Sequence, residues 1–156
     1  VNNIVSALAE HTTLNLAYID EHGEPQACAV FFALTDNDSL VFVSSRSTRH
    51  GRALAANGRV AFTAQSEGQD WTTLTGVQGR GHCVALAGSA LAEAQAAYAR
   101  RFPFVAENSA LRAALDTADH WAVRPDWLRL VDNGSGFGHK VEWTAAGSIE
   151  QRNGIS

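Results

Sequence analysis

Chemistry concentrates in one stretch of the chain, VFVSSRSTRHGRAL, from Val41 to Leu54. An apolar strand ends in the small hydroxyl residues Ser44 and Ser45, and a helix is expected to start at Ser47 with Thr48, Arg49 and His50 in its first turn. Free backbone amides, the positive end of the helix dipole, hydroxyl donors and a guanidinium converge in such an arrangement, which is what a terminal phosphate needs. Cations in a first helical turn are otherwise disfavoured by the dipole, so their presence asks for an anion nearby. A capped helix with a solvated arginine face carries the same letters, and on this stretch alone both readings stand.

Other reactive residues are scattered. The six histidines, His11, His22, His50, His82, His120 and His139, form no i, i+4 helix pair and have no carboxylate at ligand spacing, so no metal site is expected. His82 and Cys83 are strand neighbours whose side chains point to opposite faces and cannot act together. Cys28 and Cys83 are the only cysteines, too few for a disulfide framework. Both are expected to be reduced thiols of a cytoplasmic protein, and neither has a base beside it in sequence to make it a nucleophile. The GSGFG loop at 134–138 superficially resembles a dinucleotide fingerprint, but its glycine spacing is wrong and a strand follows it where a helix is required. Trp71, Trp121, Trp127 and Trp143 read as core or interface residues, any one of which could stack on a planar ligand.

The elements that position these residues are short. The length of 156 residues sustains one hydrophobic core, and a formal charge of -4 with a single lysine, Lys140, argues against a nucleic-acid surface. No window reaches the roughly 20 apolar residues of a membrane helix, and VNNIVSALAEHTT does not read as a secretory leader. Asn3 to Glu10 has helical spacing. TTLNLAYID, QACAVFFAL and SLVFVSS read as three strands of a meander. Thr48 to Asn57 reads as a helix, with Ser47 as N-cap and Gly58 as the C-terminal glycine. RVAFTAQ and the glycine-interrupted TLTGVQGRGHCVAL are further strands, the second bent or bulged. Helices are expected over Ser89 to Phe102 and Ser109 to Leu115, and strands over DWLRLVDN and KVEWTA. Strands interrupted by helices that do not alternate one for one predict an α+β, mainly antiparallel barrel in a single domain over 1–156. Residues from about 146 to 156 are expected to form a flexible tail.

From about Leu14 through Leu86 the chain resembles the pyridoxamine 5'-phosphate oxidase-like group of FMN-binding split β-barrels. The resemblance rests on strand order and on ACAVFFALTDNDSLVFVSSRSTRHGRAL, which aligns without gaps with the two flavin-contacting segments of those oxidases. It implies that the flavin ring runs along Val30, Phe31 and Phe32, largely on backbone groups. It also implies that Val43, Ser44, Ser45, Thr48, Arg49 and His50 hold the phosphate and that Gln78 matches a glutamine on the strand after the helix. The oxidases carry Arg and Lys where this chain has Cys28 and Ala33, and an Arg-Lys pair where it has Arg49 and His50. Their C-terminal substrate-binding Arg and His have no counterpart in RLVDNGSGFGHKVEW, so a vitamin-phosphate substrate is not implied. That ending looks more like an uncharacterised bacterial subgroup of the same fold.

The expected function is an FMN-dependent oxidoreductase acting on an unknown small substrate, with the cofactor supplying the redox chemistry and no catalytic side chain assigned. The alternatives are a non-catalytic carrier of FMN, haem or deazaflavin, and a barrel that has lost its ligand and serves only as an interaction module. A homodimer with flavin sites across its interface is expected, because ACAVFFAL is a long apolar run for a strand with one wet face.

Overall fold

In a computed structural model the chain is described over residues 2–145 and 147–152. Alternation of apolar and polar residues sets the first hairpin: β1 (Thr13–Ile19) buries Leu14, Leu16 and Tyr18 and turns its other side chains outward. It pairs in antiparallel register with β2 (Pro25–Phe31), from Thr13 opposite Phe31 to Ile19 opposite Pro25. Before the hairpin, α1 (Asn2–Ala9) packs Ile4 and Leu8 into the core.

The predicted meander breaks after β2. The run QACAVFFAL divides at Phe32, where the chain crosses from one end of the sheet to the other. β3 (Ala33–Leu34) then pairs with β4 (Leu40–Val43), and β4 pairs with a later strand and not with β2. Phe32 is itself buried, and its amide donates to the Thr12 carbonyl at 2.9 Å. A helix, α2 (Arg49–Ala56), leads into β5 (Arg59–Gln65) and β6 (Thr75–Ala85). After β6 come α3 (Gly88–Arg101), α4 (Phe104–Glu107) and α5 (Ser109–Thr117), of which α4 is the one not expected. The long β7 (His120–Asp132), β8 (Lys140–Thr144) and β9 (Gly147–Arg152) complete the described chain.

The described strands make one antiparallel sheet in the order β2-β1-β5-β6-β7-β4-β3, with β8 and β9 continuing from β7. Curled with short helices around it, this is the split barrel expected. Its main core joins Leu16, Phe42, Phe62, Trp121 and Val123 with Leu54 of α2. A second, alanine-lined core (Ala33, Val41, Ala94, Ala97, Ala122) seats α3 on the opposite face of β3, β4 and β7.

Three boundaries move for physical reasons. The N-cap of α2 is Thr48, not Ser47: the Thr48 hydroxyl accepts from the Gly51 amide at 3.0 Å, while the Ser47 hydroxyl turns back to Ser45. Gly58 is not a left-handed cap. Asn57 is the C-cap, and glycine is needed at 58 because a Cβ there would lie 2.5 Å from the Cys83 carbonyl oxygen. β7 begins at His120, six residues before DWLRLVDN, and runs through Pro125 at a bulge where Arg80 faces Trp127 and Gly81 faces Pro125. The ladder is irregular there, so a proline without an N–H is tolerated.

The tail expected over 146–156 overlaps β9 between 147 and 152, and residues 146 and 153–156 lie outside the described residues.

Candidate functional site

The strand end at Val43 and the first turn of α2 form one hydrogen-bonded unit. Val43, half-buried, faces His120 across the β4–β7 ladder. Ser44 is then held from three directions. Its amide donates to the Asp119 carbonyl at 3.0 Å, its own carbonyl accepts from Trp121 Nε1 at 2.9 Å, and its hydroxyl bonds to His50 Nε2. Thr48 Oγ1 lies 3.4 Å from the Ser44 hydroxyl and donates to the Ser45 carbonyl at 2.8 Å. Gly51 allows this fold-back, since a Cβ on it would lie 2.2 Å from the Ser45 carbonyl oxygen.

The guanidiniums around this turn differ in how they are used. Arg46 pairs with Asp119, and its amide is bonded to the same carboxylate at 2.9 Å. Arg52 pairs with Glu21 and donates to the Ser47 carbonyl at 2.6 Å. Arg49, exposed between them in the first turn, forms no ion pair with any described residue. It lines a cleft of 420 Å³ together with Asp20, Glu21, His22, Arg52 and Ala53. The two carboxylates of that cleft are already engaged. Hydrogen bonds from the Glu24 amide, the Gln26 side chain and the His22 amide hold Asp20 below the usual carboxylate range, and Glu21 faces Arg52. Burial lowers the pKa of His50, whose ring lies 6.4 Å from that of Tyr18. The arrangement suits an oxyanion: the open amides of a first helical turn and one uncommitted cation, with hydroxyls beside them.

The remaining expected ligand residues lie on other elements. Val30 packs inward from β2 against the main core, while Phe31 points outward, 59% exposed, with its ring edge-on to Phe102 at 5.9 Å. Among the described strands β2 is an edge that pairs with β1 alone, so alternate backbone groups along it have no strand hydrogen-bond partner. Gln78 is exposed on β6 opposite Thr63 and Arg129, and neither backbone partner belongs to the Ser44–His50 unit.

Several residues were missed by sequence reading. Asp119, Trp121 and Tyr18 hold or border the unit from distant strands, and nothing in their local letters announces it. Gly51, a glycine in a first helical turn, was the readable signal. Of the cysteines, Cys83 is buried with its thiol pushed up to about 12, and half-buried Cys28 is raised by burial as well. Among the described residues no cluster of three or more His, Cys, Asp or Glu could hold a metal ion, and no helix is long and apolar enough to cross a membrane.

Comparison with known proteins places this geometry. The UPF0306 protein of Klebsiella pneumoniae (strain 342) is 32% identical over 126 residues, 80% of each chain. A heme binding protein from Mycobacterium smegmatis superposes with a TM-score of 0.75 at 24% identity, over 90% of this chain and 56% of that one. This chain thus spans little more than half of that protein. A pyridoxamine 5'-phosphate oxidase-related, FMN binding protein from Nostoc punctiforme gives a TM-score of 0.65 at 13% identity, over 97% and 92% of the two chains. At these identities the two structures speak for the fold alone. The sequence family is decided separately: the pyridoxamine 5'-phosphate oxidase model matches residues 2–132, from α1 to the end of β7, and the chain belongs to that family.

Proposed function

We propose that this chain binds FMN and works as a flavin-dependent oxidoreductase on a small substrate, as a cytoplasmic homodimer. The observation that carries the reading is Arg49, an exposed guanidinium in a capped first turn whose neighbours Arg46 and Arg52 are ion-paired while it is not. A phosphate dianion would complete that turn, taking donors from Arg49 and the α2 amides, with Thr48, Ser44 and His50 beside it. The unpaired edge of β2 offers backbone groups to a planar polar ring, and its outward residues Ala27, Ala29 and Phe31 offer apolar contact. Bound flavin would supply the hydride or electron transfer, and the chain supplies position and exclusion of water. The exposed apolar side of β2 is also the surface a second copy would cover.

A second reading, haem in place of flavin, draws on the likeness to the Mycobacterium smegmatis heme binding protein. Purified protein with a flavin spectrum that NADH or NADPH bleaches under anaerobic conditions supports the oxidoreductase. A flavin spectrum that neither nucleotide bleaches points to a carrier, and a Soret band with no flavin overturns the FMN assignment.

A further inference from the structure

A different part of the molecule holds a buried histidine with one ring nitrogen free of any described partner. His120 opens β7 and is 3% exposed. Its Nδ1 lies 3.0 Å from the Ala118 carbonyl oxygen. A carbonyl only accepts, so Nδ1 carries the proton and Nε2 is the ring nitrogen left for a ligand. No described residue donates to Nε2. Among the described residues no fully buried side-chain nitrogen or oxygen lacks a partner, so Nε2 has to be reachable from open space.

His120 lines a cleft of 260 Å³ between α3, α4, α5 and the start of β7. Tyr98 stands beside His120, the two rings edge to face at 6.5 Å, and burial keeps the Tyr98 hydroxyl protonated as a donor. Gln95, Arg112 and Asp116 add polar and charged groups, and Ala99, Val105, Ala106 and Leu115 make an apolar wall. The roof is distinct from the rest of the fold, since α4 and α5 contain no buried residue and pack on each other. The volume of the cleft suits a single ring, since a cavity of roughly 150 Å³ accepts benzene.

We infer that this cleft binds a single-ring organic molecule bearing a hydroxyl donor, with His120 Nε2 accepting its hydrogen bond and the ring lying between Tyr98 and the Val105–Leu115 wall. The site shares no lining residue with the Arg49 cleft and stands or falls independently of the flavin reading.

Phenol is the probe, with anisole as the same ring lacking the donor. Titration of the full chain, followed by calorimetry and by long-range ¹H–¹⁵N spectra of the histidine rings, should show phenol binding and shifting His120 Nε2, which reads as the unprotonated nitrogen. Anisole should bind about tenfold more weakly, the loss expected for one hydrogen bond to a buried acceptor. Ala106→Trp, at an exposed position of the roof, should abolish phenol binding and leave FMN affinity unchanged. Equal affinities for phenol and anisole, a protonated Nε2 in the free protein, or phenol binding that survives Ala106→Trp would each overturn the assignment. Absence of phenol binding up to millimolar concentration would do the same.

Discussion

Two helices of nearly equal length, α2 and α5, interrupt the strands of this protein, and they have little in common beyond their sequence grammar. Both are amphipathic and both carry a side-chain N-cap. Thr48 accepts from Gly51, and the Asn108 amide oxygen accepts from the backbone of Ala110 and Leu111. Yet α2 buries Gly51, Ala53 and Leu54 and closes the main core, whereas α5 buries nothing and Leu111 is 42% exposed. Caps and periodicity make a helix; what it does depends on the surface it lands on. α2 lands on large side chains between β1 and β6 and is anchored there by its own buried residues. α5 lands on α4, beyond the alanine-lined layer, and leaves a cleft beneath it.

The largest expected difference is in the core. Leu54→Ala removes a 2% exposed side chain and should cost about 2–5 kcal/mol of global stability in urea unfolding. A loss under about 0.5 kcal/mol would mean that α2 is no better seated than α5.

Next comes ligand affinity. Arg49→Ala should weaken FMN about ten- to a hundredfold by calorimetry, the worth of a charge-assisted hydrogen bond of about 1.5–3 kcal/mol, and should affect riboflavin much less. Arg112→Ala on α5 should change neither. Equal losses for FMN and riboflavin would remove the phosphate from the assignment.

Gly51→Ala tests how tightly α2 is joined to β4. In a free helix the change would be favourable by roughly 0.5–1 kcal/mol. Here the added Cβ meets the Ser45 carbonyl oxygen at 2.2 Å, so a loss of about 1–3 kcal/mol is expected, together with weaker FMN binding. A gain in thermal stability would show that the turn can open without consequence.

The smallest effects belong to α5. Asn108→Ala should remove about 1 kcal/mol from its cap. That loss should appear as faster amide exchange confined to 109–117, with the global unfolding midpoint unmoved. Leu111→Ala should stay within about 0.5 kcal/mol. A global shift from either substitution would make α5 part of the cooperative core and erase the contrast with α2.

Much of the architecture was readable from local letters. The alternation in TLNLAYI and RVAFTAQ gave strands whose burial follows residue by residue. The glycines of TGVQGRGHCVA announced a bulge, found at Arg80/Gly81. The residues of the phosphate-type turn, Ser44, Thr48, Arg49 and His50, are gathered at one strand end because strand, turn and helix are consecutive. Less legible were Phe32, where one apolar run divides between opposite ends of the sheet, and the strand from His120 to Pro125, hidden by a proline whose tolerance depends on a bulge with β6.

By itself the sequence determined the antiparallel, mainly β class, the position of most helices and the short-range gathering of Ser44, Thr48, Arg49 and His50, since these depend on side-chain period, capping and turn chemistry within about ten residues. Tertiary structure alone decided that Asp119 and Trp121 fasten Ser44, that Arg46 and Arg52 are ion-paired while Arg49 is not, and that His120 is buried beside Tyr98. Each of these depends on strand order, which places β7 beside β4 across more than seventy residues of chain, and no local pattern encodes which strand becomes a neighbour.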